Sequence, residues 1–393
     1  MFRNYTLSSE KMIEVESNNE VMEQIEDIDM FADSPVEMEP SAKKIKVKNE
    51  IVKAIPLQDN WDDEEGYYKV TIGEVLQERY QVFATLGKGV FSTVVKANDK
   101  VENTQVAIKI IRSNDTMRKL GHKEIDILKK LNDNDPSDKK HVVRMITHFE
   151  YRKHLCIVFE SLSINLRQVL KKYGRDVGIS VKAVRAYAKQ LVLSLCLLDK
   201  CRIVHADIKP DNILVTENHN KLKLCDLGSA SSIEDNEITP YLVSRFYRAP
   251  EIILGLSYDN AVDMWSLGCT LFEIFTGKIL FPGDTNNHML KLMMDVKGRF
   301  SNKMIKRGQF NERHFDKDFN FLYNDKESNT VKSINLPKQK HTVLKERVLK
   351  LTKPDDEDYK MVVDFVNFLE RCLSLNPEHR LKPRDALEHP FLN

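Results

Sequence analysis

His205-Ala206-Asp207-Ile208-Lys209-Pro210-Asp211-Asn212-Ile213-Leu214-Val215, followed at Asp226-Leu227-Gly228 by a further acid at a strand end, is the stretch that decides how this chain is read. It packs two carboxylates, a lysine and an amide onto loops between apolar strands. Charged groups held beside apolar strands carry a desolvation cost, so they are kept there when chemistry needs them. A plain polar surface loop is the competing reading, and the motifs upstream weigh against it.

Upstream, Leu86 precedes Gly87-Lys88-Gly89-Val90-Phe91-Ser92-Thr93-Val94, a glycine-rich hairpin whose missing side chains let backbone N–H groups approach phosphate oxygens. Ser92 stands where a third glycine is usual, and a tight hairpin with no ligand accounts for such a stretch about as well. Val106-Ala107-Ile108-Lys109 follows on the next strand, with a lysine that could neutralise phosphate as a point charge. A helix at about 118–131 has Leu120, Ile127, Leu128 and Leu131 as its apolar stripe, and Glu124 falls on that same stripe. A carboxylate there needs a cation, and pairing Lys109 with Glu124 satisfies both groups.

Between these motifs the texture is strand-rich from Tyr80, with strands at 104–111 and 155–159, and mainly helical beyond residue 162. Val184, Tyr187, Ala188, Leu191, Leu195 and Leu198 follow helical spacing, and residues 263–275 are apolar almost all round, as in a helix buried within a lobe. Residues 298–352 are richer in charge and read as an insertion of loops and short helices, after which 359–375 restores a helix. The fold class expected is α+β, a small β-rich N-lobe with one key helix and a large α-helical C-lobe. Its boundaries are a lead-in at 59–79, an N-lobe and hinge at 80–162, and a C-lobe at 163–393.

Residues 1–58 form a tail of different character. Its first forty residues carry eleven acids against Arg3 and Lys11, a composition that cannot offset the entropy of ordering. Val21, Met22, Ile25 and Ile28 are spaced to make one apolar helical face for a partner, but a solvated tail is the simpler reading. Lys43-Lys44-Ile45-Lys46-Val47-Lys48 reverses the charge, as an import signal or as a solvated linker. The net charge of +1 gives no global argument for nucleic-acid or membrane-surface binding. The six cysteines form no C-x-x-C pair and read as reduced, buried thiols of an intracellular protein, Cys225 included, although its place beside Asp226 could make it a pocket thiol.

Together these residues resemble the protein-kinase signature set over residues 67–393. The resemblance implies ATP and Mg²⁺ as cofactors, Asp207 as the base that accepts the substrate hydroxyl proton, and Lys209 as the group that stabilises the transferring phosphoryl. By the same match Asn212 and Asp226 hold the metal. Val94, Ala107 and Leu214 sandwich adenine, Phe159 backs the pocket, and Glu160 and Leu162 offer hinge backbone. Asp263 holds the catalytic loop, and Glu251 of Ala249-Pro250-Glu251 pairs with Arg380 in Asn376-Pro377-Glu378-His379-Arg380.

Ser244-Arg245-Phe246-Tyr247-Arg248-Ala249-Pro250-Glu251 with the insertion narrows the likeness to the CMGC group, which suggests a taste for proline after the phosphoacceptor. Thr239-Pro240-Tyr241 precedes Arg245 and Arg248, so a phosphate on Tyr241, added by the kinase to itself, would find two guanidiniums. Trp61 with Glu65-Gly66-Tyr67-Tyr68, Ile72-Gly73-Glu74-Val75-Leu76 and Thr276-Gly277-Lys278-Ile279-Leu280-Phe281-Pro282-Gly283 is most similar to the pre-mRNA-processing kinases (processing factor four), relatives of the DYRK kinases. That likeness implies a monomeric, nuclear serine/threonine kinase, with a cytoplasmic pool allowed, acting on splicing factors without binding nucleic acid or membrane itself. A general DYRK-like kinase and a nucleotide-binding scaffold are the alternatives. Three departures accompany it. Ala206 replaces the arginine that in many kinases reads an activation-segment phosphate, Leu227 replaces a phenylalanine, and an acidic tail stands where the family in animals has an Arg/Ser-rich arm.

Overall fold

In the computed structural model, Val82, Val95, Ala97, Val106 and Ile108 recur at alternating strand positions and are all buried, and that alternation folds the first lobe. The structure describes residues 61–175, 177–235, 237–325, 330–334 and 343–393. The acidic tail and the basic run at 43–48 lie outside them. β1 (Val75–Leu76), β2 (Tyr80–Lys88), β3 (Ser92–Asp99), β4 (Thr104–Ile111), β5 (Met145–Tyr151) and β6 (His154–Glu160) make one antiparallel sheet in the order β1-β2-β3-β4-β6-β5. Register places Val94 opposite Lys109 and Ala107 opposite Phe159, so residues far apart in sequence share one face.

Helix α1 (Asp115–Asn134) crosses this sheet, started by Asn114, whose side chain accepts from the Thr116 and Met117 amides. It is longer than the expected 118–131, and its buried stripe loses Leu120 and gains Gly121 and Ile125. Leu120 is exposed, while Gly121, Glu124, Ile125, Ile127, Leu128 and Leu131 face inward. The reason is close approach: a Cβ on Gly121 would lie 2.8 Å from Leu155 Cδ2, so the helix seats itself on its glycine and turns Leu120 outward.

The second lobe is helical as expected. α2 (Leu166–Val169), α3 (Val181–Lys200), α4 (Pro250–Leu254), α5 (Ala261–Thr276), α6 (Asn286–Lys297), α7 (Asn302–Arg307), α8 (Val343–Leu349), α9 (Tyr359–Cys372) and α10 (Pro383–Leu387) surround a large core. All residues of α5 after Ala261 are buried, which is why its sequence is apolar all round. Short strand pairs carry the loops of interest: β7 (Ile203–Val204) with β10 (Ser231–Ser232), and β8 (Ile213–Val215) with β9 (Leu222–Leu224). The stretch read as loops and short helices also contains a hairpin, β11 (Phe321–Asp325) with β12 (Thr330–Ile334), whose exposed second strand has no apolar alternation to betray it. Among the described residues no helix is long and apolar enough to cross a membrane.

Candidate active site

Asp207 sits in the turn between β7 and β8, and the backbone before it is fixed from beneath. The Asp263 carboxylate, buried on α5, accepts the His205 amide at 2.8 Å and the Ala206 amide at 3.0 Å. Those bonds hold Ala206 at φ +64°, a left-handed conformation that costs a residue with a side chain on the order of 1 kcal/mol or more. Burial pushes the Asp263 carboxyl above the usual range, opposed by the His205 side chain and these two amides. The Asp207 carboxylate then meets three side-chain donors, Asn212 Nδ2 at 2.8 Å, Lys209 Nζ at 2.9 Å and Ser244 Oγ at 2.6 Å, and the Ser244 amide at 3.4 Å. Lys209 also donates to Ser244 Oγ at 2.8 Å. A carboxylate offers about four lone-pair directions, so these donors fix its orientation, and a substrate hydroxyl would take the place Ser244 Oγ now holds.

A second constellation joins the lobes. Lys109 Nζ lies 2.9 Å from both oxygens of Glu124 and 3.0 Å from Asp226 Oδ1. Burial disfavours the ammonium, but the charges of Glu124 and Asp226 outweigh it and hold its pKa above the ordinary lysine value. Burial pushes Glu124 up against the pull of Lys109. The same lysine draws Asp226 down to about 2, so this half-exposed carboxylate is ionised at any working pH. Asp226 itself has φ +59°, and a Cβ on Gly228 would come within 3.3 Å of Asp226 Oδ1 and 3.5 Å of Lys109 Nζ. A side chain there would press on this ion pair.

Asp226 and Asn212 supply one ionised and one neutral oxygen, the donor chemistry a hard divalent cation takes. No group of three or more His, Cys, Asp or Glu among the described residues could hold a metal alone, so an ion here would complete its shell with phosphate and water oxygens. Val94, Ala107, Phe159, Leu162 and Leu214 are only partly buried, while their strand neighbours Val95, Val106, Ile108, Val158, Ile213 and Val215 are buried. Val94, Ala107 and Phe159 share an uncovered face of the first-lobe sheet, with Leu162 and Leu214 also partly exposed, which suits a flat apolar ligand. Leu86, Gly87 and Gly89 lie exposed on the β2–β3 hairpin. The Lys88 side chain turns elsewhere, its ammonium 3.0 Å from Asp63, so only its backbone remains for a phosphate. The Glu160 carboxylate is likewise occupied, by Lys223 at 2.6 Å and the Arg144 amide at 2.7 Å, leaving backbone for the hinge role. A cavity of about 530 Å³ opens beside the hinge between Gln105, Ser161–Ser163 and Thr216–Asn218, and it shares only Leu162 with the expected nucleotide residues. Cys225 is buried, its thiol turned to the Lys223 carbonyl at 3.3 Å and pushed well up by burial, which matches the inert reading.

Past Asp226 the segment returns to the catalytic turn through Arg248. Its Nε and Nη2 both donate to the Val243 carbonyl, at 3.2 and 3.0 Å, and are shared with the Leu242 carbonyl at 2.9 Å and the Tyr241 carbonyl at 3.1 Å respectively, while Nη1 donates to Asn286 Oδ1. Val243 is held at φ +71°, strained for a β-branched residue, and this brings Ser244 onto Asp207. Arg248 is therefore a buried anchor of the segment before any phosphate arrives, where the sequence suggested a cation in waiting. Tyr241 is exposed, its ring centroid 5.8 Å from the Arg248 guanidinium, and Arg245 is partly exposed four residues on.

Sequence reasoning did not assign Ser244, although it quoted the residue, because a serine in a loop carries no mark of what it touches. It also missed Arg167 on α2, which binds Asp211, Glu273 and the Tyr247 hydroxyl at 2.8 Å each. Tyr247 closes this network by donating to Glu273 at 2.6 Å.

A carboxylate base with a lysine beside it, a second acid fixed ionised by another lysine, and a glycine hairpin between strands define a phosphoryl-transfer centre. The chain belongs to the protein kinase family: the protein kinase domain model matches residues 80–392. Within the family it is a serine/threonine kinase related to the prp4 and DYRK kinases. It is 52% identical to serine/threonine-protein kinase prp4 of Schizosaccharomyces pombe, over 94% of this chain and 78% of that protein. It is 46% identical to serine/threonine-protein kinase prpf4B of Dictyostelium discoideum, over 93% of this chain and 47% of that one. Dual specificity tyrosine-phosphorylation-regulated kinase 2 of Drosophila melanogaster is 35% identical over 84% of the chain and 44% of its own length. The chain thus spans about half the length of these last two relatives.

Proposed function

We propose that this kinase transfers the γ-phosphate of ATP to serine and threonine hydroxyls of splicing-associated proteins in the nucleus, and that it matures by phosphorylating its own Tyr241. The observation that carries the catalytic part is the setting of Asp207 among three side-chain donors and the Ser244 amide, which orients one carboxylate beside a lysine. Asp207 accepts the substrate hydroxyl proton as the oxygen attacks phosphorus, and Lys209 balances charge on the moving phosphoryl. Asn212 and Asp226 would hold Mg²⁺, which supplies charge neutralisation at the phosphates. Lys109, fixed by Glu124, grips the remaining phosphate oxygens.

Specificity follows from Val243. Its carbonyl, next to Ser244, is taken by two Arg248 donors, so it offers no acceptor to a substrate N–H. Proline after the phosphoacceptor has no N–H to leave unpaired. Of two peptides differing only in Ser-Pro against Ser-Ala, the proline peptide is expected to have a kcat/KM about tenfold higher, the rate equivalent of one unmade hydrogen bond. Equal rates would remove this reading.

Exposure of Tyr241, with the Arg248 guanidinium 5.8 Å from its ring, supports the maturation step. Phosphopeptide analysis of active enzyme should find Tyr241 modified, and the modification should be missing from protein made as Asp207→Asn. Unmodified Tyr241 in fully active enzyme would count against it. The splicing role rests on the likeness to the pre-mRNA-processing kinases, with the run at 43–48 as the import element. Purification from nuclear extract should recover splicing proteins with the kinase, whereas recovery without any would favour a general DYRK-like kinase.

A further inference from the structure

Residues 61–69 do not merely lead into the sheet. They fold back as a strap, with the Asp63 amide on the Tyr67 carbonyl at 2.9 Å and the Lys69 amide on the Trp61 carbonyl at 2.8 Å. Asp63 Oδ1 also accepts the Glu65 and Tyr67 amides. The strap is bolted to the far ends of β4 and β6. His154, buried at the start of β6, contacts Asp62 and the Ile111 carbonyl, each at 2.7 Å, and the Ser113 amide donates to the Gly66 carbonyl at 2.8 Å.

From this anchored position Tyr67 reaches the glycine-rich hairpin. It is buried, and its hydroxyl proton is shared between the Gly89 carbonyl at 2.9 Å and the Val90 carbonyl at 3.0 Å. Arg112 adds a bond to the same Val90 carbonyl at 3.1 Å and stacks on the Tyr67 ring at 4.5 Å from the centroid. Lys88 covers the ring at 3.8 Å while pairing with Asp63. A trans peptide points its C=O and the next N–H in opposite directions. With the carbonyls of Gly89 and Val90 turned into the strap, the amides of Val90 and Phe91 are turned away from it, and both residues are exposed. The loop therefore hides its acceptors and shows its donors, the polarity an anionic phosphate requires.

We propose that Tyr67 is a positioning residue for nucleotide binding, setting the peptide orientation of the phosphate-facing loop from outside the nucleotide site. This rests on the reading of Gly87–Ser92 as the phosphate loop. The test compares the full chain and its Tyr67→Phe variant, which keeps the ring and loses only the hydroxyl, for binding of ADP with Mg²⁺ and of phosphate-free adenosine. Wild type should bind ADP more tightly than adenosine. The variant should bind ADP about fivefold more weakly, the worth of one hydrogen bond, and adenosine within about twofold of wild type. Its KM for ATP should rise in step with kcat unchanged. Arg112→Lys, which removes the bond to the same carbonyl and the two that tie Arg112 to the Glu65 carbonyl of the strap, should give the same signature and serves if Tyr67→Phe does not fold. Unchanged ADP binding, or equal losses for ADP and adenosine, would overturn the positioning role. A wild type that does not distinguish ADP from adenosine would instead overturn the phosphate-loop reading and take the proposal with it.

Discussion

Asp207→Asn is expected to lower kcat for protein phosphorylation by a factor of about 10² to 10⁴, the range for loss of a positioned general base, with KM for ATP unchanged. An asparagine fits the same space, but it cannot take the substrate proton and carries no charge to hold Lys209 at 2.9 Å. Nucleotide affinity should survive because it depends on another set of residues. Lys109, Glu124 and Asp226 are tied to one another, and none of their bonds runs to Asp207. Steady-state kinetics with varied ATP separate the two quantities, and a fall in kcat of less than tenfold would mean that Asp207 is not the base.

The second large effect is on stability. Arg380 and Glu251 are both fully buried and form a two-pronged ion pair at 2.6 and 2.9 Å, with Arg380 also donating to the Ala261 carbonyl at 2.7 Å. The pair ties the end of the activation segment to the loop after α9 and to the start of α5. Removing one partner strands a charge in a place water does not reach, at about 3–5 kcal/mol. Arg380→Ala should therefore lower Tm by roughly 10 °C. Replacing both partners with methionine should cost less than either single change, because no charge is then left unpaired. Calorimetry of the three variants reads this directly, and a double variant less stable than both singles would contradict the stranded-charge account.

The parts of this molecule that can be read from sequence are those whose constraint is local or repeats. Helical spacing announced α3 and α9, an apolar run on every side announced the buried α5, and the buried Glu124 demanded a cation that Lys109 supplies at 2.9 Å. The turn from His205 to Asn212 was legible because its charges crowd into one short stretch. Residues whose partners are remote were not. Arg167 touches Asp211, Tyr247 and Glu273, and nothing near it in the chain says so. Ser244 reaches Asp207 only because Val243 is bent into a left-handed conformation, which a valine does not advertise. Leu120 was misread for the opposite reason: a leucine on the stripe looked like core, but α1 packs through Gly121. Arg248 does lie near Tyr241, 5.8 Å from its ring, but its bonds to the Tyr241, Leu242 and Val243 carbonyls and to Asn286 were not legible, because none of them leaves a mark in the sequence.

Ala206 gains meaning from the same geometry. It occupies the position from which an arginine would read an activation-segment phosphate, and it is buried at φ +64° under Asp263. The catalytic turn is thus held from within the lobe by α5, and Ser244 and Arg248 complete it without a phosphate. A phosphate on Tyr241, as proposed, would add to a centre already built.

The account stands most directly on transfer itself. Purified protein and its Asp207→Asn variant, incubated with γ-labelled ATP, Mg²⁺ and a protein containing Arg/Ser or Ser-Pro sequences, should differ completely, with label on serine and threonine in the wild-type reaction and background in the variant. Equal, background-level transfer by both would contradict it and leave a nucleotide-binding scaffold in its place.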